Sequence, residues 1–179
     1  MRWVIMVVVA VIAIIIAIFA AGAVLPRKHK AAVITEINQP PEVLWQTIND
    51  QAEAAKWRAD VKSIQRMPDR NGHPVWQETS KDGMTLELED TESAAPRRLV
   101  RTVRDTGNMF SGQWEILLSP LGTTGSTIRI TETGEVPNPF FRFMSRFVFG
   151  HTKSMEQFLT ALASKYGEQN VKFRTEVTE

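Results

Sequence analysis

From Trp3 to Leu25 the chain carries no charged residue, and Arg2 and Pro26 bracket the run. Wound as an α-helix at 1.5 Å per residue, the stretch is about 34 Å long, enough to cross a hydrocarbon core of about 30 Å. It is too long and too uniformly apolar for a helix of a soluble core. The run predicts a transmembrane helix, and it restricts the rest of the chain to something held against a bilayer.

Arg27, Lys28 and Lys30 follow this helix, against Arg2 and the terminal amine before it. By the positive-inside rule the asymmetry places the remainder of the chain in the cytoplasm. The competing expectation is a cleaved signal peptide, because Ala21-Gly22-Ala23 has an A-x-A shape. The apolar run exceeds a usual signal core and its leading basic region is thin, so a retained single-pass anchor is favoured. Ala13, Ala17 and Ala21 fall four apart on one face. Such a small-residue stripe lets two helices approach closely and offers a route to a homodimer.

The anchor takes residues 1–26, leaving 27–167 as one domain of ordinary size and 168–179 as a polar tail. Net charge is +1, and Arg2 accounts for it, so the remainder is balanced and offers no basic excess for nucleic acid. There is no cysteine, which excludes disulfides, thiol nucleophiles and Cys-based metal sites.

After a polar hinge at Pro26–Lys30, residues His29–Asn38 alternate as a strand that Gln39-Pro40-Pro41 stops. Pro41 suits a first helical turn, and Glu42 complements its dipole. Two short helices follow, Glu42–Asp50 and Gln51–Arg58. Strands are then expected at Val61–Met67 (ending at Pro68), Pro74–Ser80, Met84–Glu89, Arg98–Arg104, Gly112–Leu118 and Ser126–Thr133, with turns at Lys81-Asp82-Gly83 and Gly107-Asn108. Strands so closely spaced, with no helix between them, predict an antiparallel meander. Asn138 caps a helix that Pro139 opens, and apolar residues recur at helical spacing from Phe140 to Tyr166, with a kink at Gly150-His151 and a stop at Gly167. Glu168 to Glu179 is expected to be frayed or weakly extended. The fold class is therefore α+β: a sheet that must bury one face, and a long C-terminal helix whose apolar stripe covers it.

This order of elements resembles the START-like helix-grip superfamily, in the polyketide cyclase/dehydrase and lipid transport (SRPBCC) group. The residues that carry the resemblance are Ile37-Asn38-Gln39-Pro40-Pro41-Glu42-Val43-Leu44-Trp45, then Ile48, Asp50 and Trp57. Further on come Phe110-Ser111-Gly112-Gln113-Trp114 and Gly125-Ser126-Thr127-Ile128-Arg129-Ile130-Thr131-Glu132. These signatures mark a fold, not a reaction, and span about Lys30 to Tyr166. The resemblance implies a curved antiparallel sheet wrapped around the C-terminal helix, with a hydrophobic cavity between them for lipids, sterols or polyketides. The apolar run is the departure from the family pattern.

Three histidines (His29, His73, His151) fall at no metal-ligand spacing, and His29 and His73 read as solvated. No phosphate loop, nucleophile elbow or metal triad is present, and nothing calls for a cofactor. Glu78, Asp90 and Glu132 continue apolar strand faces, where desolvation would suit a carboxylate to acid/base work. Trp57, Trp76, Leu86, Leu88, Trp114, Ile116, Ile130, Phe143 and Phe147 complete the expected ligand-binding set. Trp45 belongs to the core by default. Phe140, Phe141, Phe143, Phe147 and Phe149 are too many aromatics for one core stripe, and with Arg142 and Arg146 among them the segment suits a lipid interface. The leading expectation is a membrane-anchored binder of a hydrophobic, lipid-like molecule. Its rivals are a cyclase- or hydrolase-type enzyme using a cavity carboxylate, and a scaffold whose cavity is filled and whose exposed face binds a protein.

Overall fold

The computed structural model describes residues 2–107 and 110–178, the side chain of Phe149 excepted. The expected turn residue Asn108 and the lipid-facing side chain expected for Phe149 lie outside the described residues. The apolar run forms one helix, α1 (Arg2–Val24), 23 residues long and exposed along nearly its whole surface. It is the one described helix long and apolar enough to cross a membrane.

Eight described strands form one antiparallel sheet: β1 (Lys28–Ile37), β2 (Val61–Arg70), β3 (His73–Ser80), β4 (Thr85–Ala94), β5 (Arg98–Asp105), β6 (Ser111–Leu121), β7 (Gly125–Glu135) and β8 (Arg174–Thr178). Their spatial order is β2-β3-β4-β5-β6-β7-β1-β8. The meander from β2 to β7 therefore runs as sequential hairpins, and β1 returns to lie beside β7. Two corrections concern the edges. β2 was expected to stop at Pro68, yet it continues to Arg70. Proline lacks a ladder donor, but β2 is an edge strand and its register shifts between Met67 and Arg70, so no bond is lost there. The tail was expected to be frayed or weakly extended, yet β8 pairs with β1 through Ala31↔Val177 and its neighbours. Val171 and Phe173 tie the approach to this strand against the core.

Between β1 and β2 lie α2 (Pro41–Asn49) and α3 (Gln51–Trp57). Pro41 sits in the first turn of α2, and the Asp50 side chain caps α3 by accepting from the Glu53 amide. Leu44 and Ile48 enter the core, where Val33, Leu99, Ile116, Leu118, Ile128 and Ile130 of the sheet's inner face meet Met155, Phe158, Leu159 and Leu162. Each fully buried aliphatic side chain here contributes about 1.5–3 kcal/mol.

The single helix expected from Phe140 to Tyr166 is divided. Asn138 caps α4 (Pro139–Met144) by accepting from the Phe140 amide, a π-helical turn covers Ser145–Phe149, and α5 (Lys153–Lys165) follows. Gly150, at φ 76°, is the reason the helix ends rather than kinks: a residue with a Cβ is strained there. The break sends the two halves to different partners. α5 covers the sheet, while α4 lies against α1, with Phe19 and Phe140 rings 5.9 Å apart. Gly22 permits this approach, since a Cβ there would overlap the Pro139 carbonyl.

On the outer face, Arg70 and Arg104 bridge Glu87 and Glu89 across β2, β4 and β5. Hydrogen bonds from Arg70 hold Glu87, and from Arg104 hold Glu89, below the ordinary glutamate value of 4.5. A carboxylate depressed in the folded state stabilises above its unfolded pKa and loses that contribution as pH falls. Resistance to denaturant should therefore decline as pH is lowered from 5 towards 3. An Arg70→Gln/Arg104→Gln variant should show a flatter pH profile, and 1 M salt should flatten it similarly because these pairs are exposed.

Candidate functional site

Strand parity sets what faces inward. The cross-strand row Glu78↔Leu86↔Asp105, the row Trp76↔Leu88↔Val103↔Gly112↔Gly134↔His29 and the row Asp90↔Arg101↔Trp114↔Glu132↔Ala31 share the inner face with the core residues. α5 fills one half of that face. The other half is left open beneath α4 and the π turn, as a cavity of about 360 Å³. Its sheet wall comprises Leu86, Val103, Gly112, Trp114, Glu132 and Gly134, with His29 from β1 and Met84, Phe110 and Ser111 at the strand ends. Phe141, Ser145, Gly150, His151 and Ser154 close the opposite side. The facing pair Gly112↔Gly134 brings no side chain into the space, which is one reason it stays open.

The lining is overwhelmingly apolar and converges on one carboxylate. Trp114 Nε1 donates to Glu132 Oε2 at 2.6 Å, and His29 Nε2 lies 2.9 Å from Glu132 Oε1. An ionised Glu132 accepts both bonds and so fixes a proton on His29 Nε2. The His29 ring stacks on His151 with centroids 4.1 Å apart and also fills the space a side chain at Gly134 would need. Gly134→Ala should therefore displace His29 and break its bond to Glu132, while Gly112→Ala, whose Cβ would press on the Thr133 carbonyl at 3.2 Å and not on the imidazole, should leave that bond in place. The His29 ring resonances in an NMR spectrum, which move when the stacked and hydrogen-bonded ring is displaced, would distinguish the two variants.

Of the residues expected to bind ligand, Leu86, Trp114 and Glu132 line the cavity. Ile116 and Ile130 are fully buried beneath α5, and Leu88 is buried beside Val103 without reaching the cavity surface. Trp57 stacks edge-on against Phe158 in the filled half, and Trp76 lies under the Arg66 guanidinium near the β2 edge. Glu78 and Asp90 share the inner face, but Arg58 grips Glu78 at 2.5 and 2.8 Å and Arg101 grips Asp90 at 2.5 and 3.0 Å. Phe143 packs on Phe147, itself 62% exposed, outside the cavity. Val103, Phe110, Phe141 and His151 line the cavity outside the expected set, and so does His29, which the sequence places with the basic flank as a solvated side chain. The signal was present, since His29 has the parity of Ala31 and Val33, the inward face of the same strand. Among the described residues, no group of three His, Asp or Glu side chains is placed to hold a metal ion.

The sequence matches, over residues 28–167, the family described as polyketide cyclase/dehydrase and lipid transport. The chain belongs to this family. No curated protein sequence matches it. Among solved structures, the family fold recurs in the Zhui aromatase/cyclase from Streptomyces sp. R1128 (TM-score 0.66, 11% identity, covering 78% of this chain and 94% of that one). It recurs in a conserved protein from Geobacillus kaustophilus (TM-score 0.64, 15% identity, 77% and 95% covered) and in a START superfamily protein from Mycobacterium smegmatis (TM-score 0.62, 14% identity, 76% and 96% covered). At these identities the likeness is one of fold. The family match begins at residue 28, so α1 lies outside it.

Proposed function

We propose that this polyketide cyclase/lipid transport family member is a membrane-tethered binder of a hydrophobic, lipid-like small molecule. The observation that carries this reading is the apolar cavity of about 360 Å³ with a single carboxylate facing into it. That volume falls at the small end of the roughly 300–1,000 Å³ typical of ligand sites. It suits one chain or a few fused rings, not a two-tailed phospholipid. Leu86 and Trp114, together with Val103, Phe110 and Phe141, would supply the apolar contact. Glu132, with His29 behind it, would orient a hydroxyl or other hydrogen-bond donor of the ligand.

α1 would hold the cavity close to the bilayer, with the domain on the cytoplasmic side by its basic flank. The contact between α1 and α4 supports a short path, because α4 is continuous with the cavity wall. The small-residue face at Ala13 and Ala17 stays exposed and remains available to a second copy. The test is mass spectrometry of the full chain released from mild detergent. A stoichiometric apolar molecule that exchanges with added fatty acid supports the proposal, and a chain that neither carries nor takes up any such molecule overturns it.

One observation favours a second reading. A His–Glu pair in an apolar cavity is suited to move a proton on a bound substrate. Glu132→Gln would separate the two: ligand retained with turnover lost marks an enzyme, whereas weaker binding with no reaction in either form marks a binder.

A further inference from the structure

A second, smaller cleft lies where α1 meets the domain; it shares His29, Val136, Ser145 and His151 with the cavity, but the rest of its polar wall is basic. Its walls include Arg27, Lys28, Arg142 and Arg146, and among the described residues lining it none is acidic. Arg142 is 7% exposed. Its Nη1 donates to the Leu25 carbonyl at 2.8 Å and its Nη2 to the Pro137 carbonyl at 3.4 Å, while Nε is buried with no partner. A guanidinium has five N–H donors, and here two are used, both on carbonyls. Among the described residues this buried cation faces two carbonyls and no carboxylate, an arrangement that is costly unless an anion supplies the charge. Arg27 and Lys28 stand exposed beside it on the chain leaving α1.

The position of the cleft indicates which anion. It begins at Leu25, one residue past the end of α1, the depth at which lipid phosphates lie if α1 spans the bilayer. Phe147 and Val148 on the same π turn are 62% and 57% exposed, placing apolar surface next to the basic residues, as on an interfacial segment. The cleft encloses about 20 Å³, room for an oxygen-sized group and not for a chain.

We propose that this cleft receives one oxygen of a phosphate group, that of an anionic phospholipid headgroup, with Arg142 contacting that oxygen from within and Arg27 and Lys28 holding the rest of the group at the surface. The proposal rests on the membrane-tethered reading of α1. Guanidinium donors suit phosphate oxygens, and basic groups at the end of a membrane helix attract anionic lipid.

The test uses the full chain in dodecyl maltoside micelles, following the Arg142 Nε–H resonance by ¹⁵N NMR, assigned by its loss in Arg142→Lys. The additions are dihexanoyl phosphatidylglycerol, dihexanoyl phosphatidylcholine and sodium phosphate. A saturable shift with phosphatidylglycerol, weakened about tenfold or more in Arg27→Gln/Lys28→Gln and far smaller with phosphatidylcholine, supports the proposal. An equal response to inorganic phosphate overturns the lipid as source while keeping the phosphate chemistry. A resonance that none of the three moves overturns the site. A doxyl-labelled lipid in the same sample reports α1 separately: α1 broadened with a silent cleft overturns only the phosphate seat. A responsive cleft with α1 unbroadened overturns only the tether.

Discussion

Replacing Glu78 by Leu should destabilise the domain by about 3–5 kcal/mol, the usual cost of removing one partner from a buried ion pair. The Glu78 side chain is 5% exposed and that of Arg58 is 14% exposed. Burial works against the charge on Arg58, and Glu78, with help from Asp60, more than offsets it, so the guanidinium is held above its usual pKa. Arg58 also lies over the Phe158 ring at 5.6 Å, which joins α3, β3 and α5 at one point. Without Glu78 the guanidinium keeps only the exposed Asp60 at 3.0 Å, and its Nε already has no partner. For a chain of this size the melting temperature should fall by on the order of 10 °C, read by thermal unfolding in mild detergent. The double variant Arg58→Met/Glu78→Leu should recover most of the loss, because it leaves no buried charge behind. A single-variant loss under about 1 kcal/mol would show that water reaches the pair and screens it.

Leu86→Trp should cost ligand affinity about tenfold to a hundredfold while leaving the fold nearly as stable as before. Leu86 projects from β4 into the cavity wall. An indole there enters space the ligand would occupy, and forcing ligand and ring together costs about 1–3 kcal/mol, which sets the expected range. The protein tolerates the added volume because the cavity of about 360 Å³ has room for the ring. A fluorescent fatty acid such as cis-parinarate supplies the measurement. Leu121→Trp, which adds the same ring at an exposed position on β6, should bind as the parent does. Equal binding by Leu86→Trp and the parent would place the ligand elsewhere.

The elements that were legible in the sequence are those whose cause is local. Asn138-Pro139 announces a capped helix because the cap and the fixed proline φ act within one turn, and the structure has both. The alternation of Met84, Leu86 and Leu88 announces a strand because period two is a property of the strand itself. The errors came where a distant partner decided. Pro68 reads as a stop until β2 is known to be an edge strand. The tail reads as loose until β1 offers it an open edge. Gly150 reads as a kink until its positive φ is seen, and what the two halves on either side of it pack against, α1 and the sheet, only the tertiary structure shows.

The cavity divides along the same line. The carboxylates at Glu78, Asp90 and Glu132 share an inward face by parity, which sequence shows. Which of them faces a cavity depended on the arginines that fold against them. Arg58 arrives from α3 and Arg101 from β5 to neutralise the first two, and only Glu132 is left facing empty space, held by an indole and an imidazole.

By itself, the sequence determined the apolar helix and the antiparallel meander, because hydrophobic period and length are summed along the chain and need no partner; its family was carried by particular residues, and the match over residues 28–167 bears it out. Tertiary structure alone decided that α5 fills half of the inner face and leaves the other half open. It also decided that His29 reaches Glu132 across 103 positions, and that α1 docks on the element walling the cavity. Those outcomes depend on which surfaces meet, and residues far apart in the chain become neighbours only when the sheet curves.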